Sequence, residues 1–153
     1  MAVVRRVVPV MRAGGNLQWD DSYPDEQVFL RDMDLDQLWI SEDQGRITGV
    51  AAITTDQEPE YAEVSWDTAE LAVVVYRLAV DPDFSRKGVA MVLMRQAETV
   101  ALERRIPLLR LDTNSENEAT QRPFPKLGHF FAGEIGLGFR PGLRLRWYEK
   151  RLS

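Results

Sequence analysis

The sequence predicts an α/β domain, in which apolar strands alternate with amphipathic helices. Three consecutive segments carry this prediction. Residues 71–80 form a long run rich in β-branched side chains, which is typical of a central strand. A helical pattern then opens near Lys87 and ends before Pro107, and residues 108–112 form a short strand. Because 153 residues with 44% hydrophobic side chains suffice for one core, we predict a single domain over residues 1–153.

The remaining elements follow from periodicity and turn residues. Four valines recur at helical spacing before Gly14-Gly15 and favour a first helix: Val3, Val4, Val7 and Val8. Pro9 is unfavourable inside a helix, which leaves a short strand over residues 3–8 open. Downstream we predict a helix entered at residues 23–25, a hairpin of strands 37–42 and 46–54 with its turn at 43–45, and an acidic loop over 56–70. Toward the C-terminus we predict a helix over 116–127, distorted by Pro123 and Pro125, and strands over 130–134 and 143–148.

Composition excludes several classes of protein. The chain has no cysteine and one histidine, His129, so thiolate sites, disulfides and multi-histidine metal sites are excluded and no metal is expected. No apolar run approaches the roughly 18 residues of a membrane span, and the N-terminus lacks a secretory layout, so we predict a cytoplasmic protein. A pI of about 5.0, without basic and aromatic residues alternating in one segment, disfavours nucleic-acid binding.

Charge is distributed unevenly along the chain. Residues 1–85 carry 17 acidic and 6 basic side chains, whereas residues 86–153 carry 7 acidic and 13 basic ones. One interpretation is that the C-terminal half holds an anionic cofactor and the N-terminal half attracts a cationic acceptor. The simpler interpretation is that the acidic segments are solvated loops that keep the protein soluble.

The clearest functional motif lies where the central strand passes into the long helix. Residues 85–88 read Ser-Arg-Lys-Gly, which places two positive charges and a residue without a side chain at a helix entry. Unpaired N–H groups and the helix dipole favour an anion at such an entry, so Gly88 is predicted to let a phosphate approach the backbone. Without further evidence, the same residues also fit a basic turn at a helix start.

The order of these elements resembles the GNAT (Gcn5-related) N-acetyltransferases. Their pyrophosphate loop reads Gln/Arg-x-x-Gly-x-Gly/Ala; here Gly88 and Ala90 match, and Ser85 stands where Gln or Arg is usual. Further pieces resemble one bacterial subgroup of the family: Gln18-Trp19, Tyr23-Pro24, residues 77–80, residues 110–113, Asn117, residues 133–135 and residues 148–150. The resemblance covers essentially residues 17–152. It implies a mixed, mostly antiparallel central sheet with helices on both faces.

The resemblance also implies acetyl-CoA as cosubstrate and assigns residues to it. Leu78, Ala79 and Val80 resemble the strand that pairs with the pantetheine arm. The loop residues resemble the donors to the pyrophosphate: Ser85, Arg86, Lys87, Gly88, Val89 and Ala90. Asn117 and Phe124 fall where the family places further cofactor contacts.

Two positions depart from the family pattern. Phe124 stands where the family often has a tyrosine general acid, a group typically contributing about 10²–10⁴ in rate. Tyr148 is a candidate substitute, although a strand aromatic is commonly a core residue. The candidate general base is Asp112, whose alternative role is a helix or turn cap; Glu63 and Glu70 are weaker candidates, and His129 is predicted to be a packed surface side chain.

The second departure is at the N-terminus. The family begins with a strand before its first helix, so here either that strand is absent or residues 3–8 fill its place. A missing edge strand leaves backbone groups that a neighbouring chain can cover, which makes a homodimer one expectation.

The resulting functional hypothesis is direct acetyl transfer from acetyl-CoA to an amine of a small molecule or an amino terminus. The alternative is a non-catalytic acyl-CoA binding or sensing domain of the same fold, which Phe124, Pro123 and Pro125 support. A nucleotide-binding protein of another fold is disfavoured because neither G-x-x-x-x-G-K-[ST] nor G-x-G-x-x-G occurs.

Overall fold

A computed structural model describes residues 1–15, 18–57, 67, 69–114, 123–136 and 144–152. The helices in these ranges are α1 (Ala2–Ala13), α2 (Glu26–Asp34), α3 (Val89–Glu103), the single turn α4 (Pro123–Lys126) and a 3₁₀ turn (Pro82–Phe84). The strands are β1 (Leu38–Asp43), β2 (Arg46–Thr54), β3 (Val73–Val80), β4 (Leu108–Asn114), β5 (Phe130–Gly136) and β6 (Arg144–Arg151).

The six strands form one sheet in the order β1-β2-β3-β4-β6-β5. Every neighbouring pair is antiparallel except β3 and β4 in the middle, which are parallel. The mixed, mostly antiparallel sheet predicted above is therefore confirmed.

Helices cover both faces of this sheet. On one face, α3 packs Leu93, Met94 and Ala97 against a cluster that includes Ala51 and Ile53 of β2. On the other face, the valines of α1 pack with Trp19, Phe29 and Val50. Since successive strand residues point to opposite faces, β2 contributes to both clusters, and its interior residues are buried throughout.

The first helix is confirmed, and the alternative strand over residues 3–8 is wrong. α1 contains Pro9, which costs about 3 kcal/mol inside a helix. Burying a valine side chain stabilises by about 1.5–3 kcal/mol, and α1 buries four of them. Packing therefore outweighs the proline. In the described ranges, no strand precedes α1.

The other predicted elements are found with small shifts at their ends. Asp25 begins α2 by accepting a hydrogen bond from the Val28 N–H at 3.0 Å, and the predicted hairpin is the β1–β2 pair. Strand β4 runs two residues beyond the predicted end, to Asn114. Of the helix predicted over 116–127, the described part is helical over Pro123–Lys126. Residues 115–122 and most of the acidic loop lie outside the described residues.

Candidate active site

The central feature of the site is a wedge between β3 and β4. The two parallel strands pair only from Val73 with Leu109 to Val75 with Leu111. Beyond these residues β3 continues along β2, where Ala79 lies opposite Val50 and Val80 opposite Gly49. The C-terminal half of β3 therefore borders an opening on its β4 side.

A β-bulge sits in β3 where this opening begins. Ala52 lies opposite Tyr76 and Val50 opposite Ala79, so Ala51 faces two residues, Arg77 and Leu78. Arg77 has φ of 53°, a left-handed conformation that costs a non-glycine residue on the order of 1–3 kcal/mol. The extra residue changes the alternation of the strand, so that Leu78 packs on the α3 side and Ala79 on the α1 side.

Arg77 is anchored by Asp32 of α2. Its Nε and Nη2 donate to the two carboxylate oxygens of Asp32 at 2.7 and 2.5 Å. The Nε2 of Gln37 donates to the same carboxylate at 2.8 Å. Asp32 is 2% exposed, so this ion pair is buried and satisfied by three hydrogen bonds.

After β3, a buried carboxylate fixes the turn that leads to α3. Asp81 accepts hydrogen bonds from its own turn, at the Asp83 N–H (3.0 Å), and from Arg46 of β2 (2.9 Å), and Arg6 of α1 lies 3.3 Å away. Burial raises the pKa of Asp81, but the Asp83 N–H and the Arg46 guanidinium lower it more, so the carboxyl stays ionised. The turn is thereby tied to a strand and a helix from elsewhere in the chain.

The predicted anion site at residues 85–90, which we call the cradle, follows this turn. Gly88 is the residue before α3 and has φ of 80°, and Arg86 has φ of 60°. In the described part of the chain, no acceptor pairs with the N–H groups of Val89 and Ala90 in the first turn of this 15-residue helix. A Cβ placed on Gly88 meets no atom within 4 Å. The space over the helix N-terminus is open, and its donors fit a pyrophosphate.

Cationic side chains surround the cradle, and two of them pack on the same aromatic ring. The Arg46 guanidinium lies 5.0 Å and the Lys87 ammonium 5.1 Å from the centre of the Phe84 ring. Arg86 and Lys87 are both exposed. Two cationic side chains therefore remain available beside the helix N-terminus for an anionic ligand.

Gly49 of β2 sets the distance between the sheet and the first turn of α3. A Cβ on Gly49 lies 2.7 Å from the Val89 Cγ1 and 3.1 Å from the Ala79 carbonyl oxygen. Because Gly49 has no side chain, the first turn of α3 can pack directly on β2. The sequence reasoning missed this residue, because a glycine in a strand pattern does not reveal which helix approaches it.

Substituting Gly49 with alanine is expected to destabilise the protein by about 1–3 kcal/mol, because the new methyl group forces Val89 and the helix away from the sheet. Urea unfolding measures this change. Gly14→Ala is the matched control: Gly14 has φ of −85°, and its Cβ makes only ordinary contacts of 3.5 and 3.6 Å. Equal unfolding free energies for both variants would contradict the close packing at Gly49.

The two candidate catalytic residues lie on opposite faces of the sheet. In the β4–β6 pair, Asp112 lies opposite Trp147, and Leu111 opposite Tyr148. Residues directly opposite each other share a face, so Tyr148 points with Leu111 toward α3, whereas Asp112 points to the other face. Asp112 lies inside β4, with a residue pair of the β4–β6 register on each side of it.

Of the other predicted site residues, Phe124 lies on the α3 face of the sheet with Tyr148, and two lie outside the described residues. Phe124 is fully buried and meets the Tyr148 ring edge-on, with 5.0 Å between ring centres. Burial raises the pKa of Tyr148, so its hydroxyl is protonated at neutral pH. Asn117 and Glu63 lie outside the described residues. Glu70 accepts two hydrogen bonds from Arg151, at 2.8 and 2.9 Å, which lower the pKa of its carboxyl.

Arg110 is a buried charge that the sequence reasoning also missed. It is 1% exposed, and its Nε donates to Glu149 at 3.0 Å. Its Nη1 donates to the Gln57 side chain at 2.6 Å and to the Asp67 carbonyl oxygen at 2.9 Å. One guanidinium therefore holds both described ends of the acidic loop against β4, next to the start of the wedge.

His129 is buried rather than at the surface, which corrects the sequence expectation. It is 3% exposed, and among the described residues neither ring nitrogen has a hydrogen-bond partner. Burial, with a smaller contribution from Lys150, lowers its pKa to about 4. The neutral ring is packed beside Phe124, with 6.1 Å between ring centres.

Replacing His129 with phenylalanine is expected to flatten the pH dependence of stability. The folded pKa of about 4 lies below the ordinary value of 6.5, so the unfolded chain binds the proton more readily and stability falls between pH 6.5 and 4. The maximum loss is about 3 kcal/mol. Urea unfolding at pH 7 and pH 4.5 should show a smaller pH difference for His129→Phe, with no loss at pH 7. Equal pH differences in both proteins would contradict the burial of a neutral ring.

The β3 side of the wedge, the bulge and the open helix N-terminus all lie within residues 73–90 of the chain. The model of the acetyltransferase (GNAT) family matches residues 10–129 of the chain. The chain therefore belongs to the GNAT family of acetyltransferases, which use acetyl-CoA.

Solved structures share the fold. An acetyltransferase of the GNAT family from Streptococcus agalactiae superposes with a TM-score of 0.82 at 22% identity, covering 100% of this chain and 88% of that one. The ribosomal-protein-S18-alanine N-acetyltransferase from Escherichia coli gives 0.70 at 14% identity, over 99% and 84%. A Bacillus anthracis protein described as a streptothricin acetyltransferase, solved with acetyl coenzyme A, gives 0.61 at 18% identity, over 75% and 61%. No curated protein matches the sequence.

In the described ranges, no group of three or more His, Asp or Glu side chains comes together in a way that could hold a metal ion. None of the helices in those ranges combines the length and apolar character of a membrane span.

Proposed function

We propose that this protein transfers the acetyl group of acetyl-CoA to an amine of a small molecule or to an amino terminus. The observation that carries the proposal is the open N-terminus of α3 at Gly88, placed directly after the strand that borders the wedge. In this proposal the pyrophosphate binds residues 85–90, and the pantetheine arm lies along Leu78, Ala79 and Val80 in the wedge. Asn117 keeps its predicted cofactor contact, whereas the Phe124 side chain is fully buried and so is not open to a bound ligand.

The chemistry is a direct transfer. The acceptor nitrogen attacks the thioester carbonyl carbon, a C–N bond forms, and the C–S bond breaks with its electron pair leaving on sulfur. A lysine-like amine with a pKa of about 10.4 is only about one part in 10³–10⁴ free base at pH 7, a deficit of roughly 4–5 kcal/mol. The amine must therefore lose a proton in the site, and the thiolate gains one.

The opposite faces of Asp112 and Tyr148 suit these two proton transfers. The wedge opens the sheet between its faces, so a carbonyl held in it is accessible from both sides. In the proposal Asp112 takes the amine proton on the α1 side, and Tyr148, protonated at neutral pH, donates toward the sulfur on the α3 side. A backbone N–H at the bulge stabilises the charge that develops on the carbonyl oxygen.

The acceptor is proposed to be cationic. Residues 1–85 carry 17 acidic and 6 basic side chains, and Arg110 holds the described ends of the acidic loop beside the wedge. Two similar structures have names that mention an alanine of a ribosomal protein and streptothricin as acceptors. Both an amino terminus and a small amine therefore belong in the panel of acceptors to be tested.

A second function, acyl-CoA sensing without transfer, is favoured by one observation. Phe124 is fully buried where the family often has a tyrosine acid, and it has no proton to give. Calorimetric titration with acetyl-CoA, followed by thiol release with a panel of amines, separates the two functions. Binding with amine-dependent release supports transfer, and binding without release supports sensing.

Three expectations from the sequence remain part of this proposal. They are a single domain over residues 1–153, a cytoplasmic location and a homodimer. Light scattering of the purified chain measures the oligomeric state, and limited proteolysis tests whether the chain resists cleavage as one unit.

A further inference from the structure

We propose that Asp32 and Arg77 form a positioning pair that fixes the β3 bulge, so that the backbone at Leu78 is aimed into the wedge. The inference rests on the proposed function, because the wedge is where that function places the acetyl group. Neither residue is assigned to bind a substrate. Their role is to hold a backbone conformation that the strand alone does not favour.

The first step is the conformation of Arg77. Its φ of 53° is rarely adopted by residues with a side chain, and it occurs in the middle of a strand that pairs regularly on both sides of the bulge. Such a conformation persists only where surrounding structure determines it. The described pairing with β4 ends at Val75, so β4 does not impose it.

The second step is what imposes it. The planar guanidinium of Arg77 binds both carboxylate oxygens of Asp32, which fixes its direction as well as its distance. Asp32 is itself fixed, because it is buried in α2 and also bound by the Gln37 side chain. The two hydrogen bonds from the Arg77 guanidinium to Asp32 therefore determine on which face of the sheet the extra residue of the bulge lies.

The third step is the consequence for the site. The bulge turns Leu78 toward the α3 cluster and returns Ala79 to the α1 cluster. The peptide group between Arg77 and Leu78 consequently sits where β3 and β4 have separated. A donor N–H held there can reach the acetyl carbonyl. The cradle is fixed by different contacts: Gly88 lies eight residues after Val80, and the turn between them is held by the hydrogen bonds of Asp81.

The test compares the affinities for acetyl-CoA and CoA, which differ by the acetyl group alone. One hydrogen bond to the carbonyl makes acetyl-CoA bind about 3- to 10-fold tighter than CoA in the wild-type protein. In Asp32→Asn this preference should fall to about one, while the Kd for CoA changes less than about twofold. Asp34→Asn, an exposed carboxylate on the same helix, is the matched control and should keep the preference.

A rescue variant separates positioning from general stability. Glycine adopts positive φ without a steric penalty, so Asp32→Asn combined with Arg77→Gly should recover the preference for acetyl-CoA. Should Asp32→Asn fail to fold, Arg77→Lys carries the same comparison, because it keeps the charge but loses the two-point contact.

Each result decides the proposal. A preference that is unchanged in Asp32→Asn or Arg77→Lys, or absent in the wild-type protein, overturns the positioning role while the proposed function stands. A preference that is lost but not recovered by the added Arg77→Gly also overturns it. A wild-type protein that binds neither ligand overturns the proposed function and the positioning role together.

Discussion

Replacing Gly88 with glutamate is expected to weaken acetyl-CoA binding by at least about 100-fold. The new carboxylate lies over the N-terminus of α3, and an unmatched like charge at a binding site costs several kcal/mol. The fold should survive, because a Cβ at this position meets no atom within 4 Å. The remaining cost is that of a side chain at φ of 80°, about 1–2 kcal/mol.

The segment after α1 offers a matched control for this variant. Gly15 has φ of 85°, and a Cβ there also meets no atom within 4 Å. Gly15→Glu therefore adds the same charge and the same backbone strain, nine residues after Arg6, the α1 side chain that contacts the turn before the cradle. Calorimetry should show wild-type affinity for Gly15→Glu, and unchanged affinity in Gly88→Glu would contradict the pyrophosphate site.

Replacing Asp112 with asparagine is expected to lower kcat by about 10²–10⁴ at neutral pH, the usual contribution of a positioned base. The Kd for acetyl-CoA should not change, because Asp112 points away from the α3 face. Steady-state thiol release and calorimetry measure the two quantities. The loss should shrink at high pH, where the amine loses its proton without help.

Asp43→Asn controls for the loss of one carboxylate from the sheet. Asp43 is exposed at the end of β1, three strands away from β4 in the sheet order. Its kcat should equal that of the wild-type protein. Equal kcat in wild type and Asp112→Asn would remove Asp112 from the mechanism and leave the α1 side of the wedge without its proposed base.

The helices and strands were predictable where one hydrophobic periodicity continues along the whole element. β3 and α3 carry uninterrupted patterns of strand and helix, and both are found within three residues of the predicted ends. The first helix was predictable despite Pro9, because its buried valines lie on one face of the helix. The position of Gly88 at the entry to α3 was predictable because a glycine at a helix entry after a strand is a local arrangement.

The bulge in β3 was not predictable, because it depends on a partner strand. One extra residue opposite Ala51 is a property of the β2–β3 register, and the sequence around Arg77 contains no glycine to mark it. The anchor of that bulge, Asp32, is 45 residues away in the chain. In the sequence it is one of several acidic residues in a stretch that has the composition of a solvated surface.

The faces of the catalytic candidates also depend on a distant strand. Asp112 and Tyr148 are assigned to opposite sides of the sheet by the β4–β6 register, and that register is a long-range pairing. Arg110 shows the same limit: between two leucines of a strand it has the pattern of a solvent-facing residue. It is buried because Gln57 and Asp67 lie on it.

The measurement that tests the central claim most directly is thiol release from acetyl-CoA with a panel of small cationic amines and peptides with free amino termini. The acetylated amine is detected in the same reaction by mass spectrometry. The account predicts release that depends on the amine, equals the acetylated product in amount and disappears in Gly88→Glu. Tight acetyl-CoA binding with no acetylated product from any amine would contradict acetyl transfer and identify the protein as an acyl-CoA sensor.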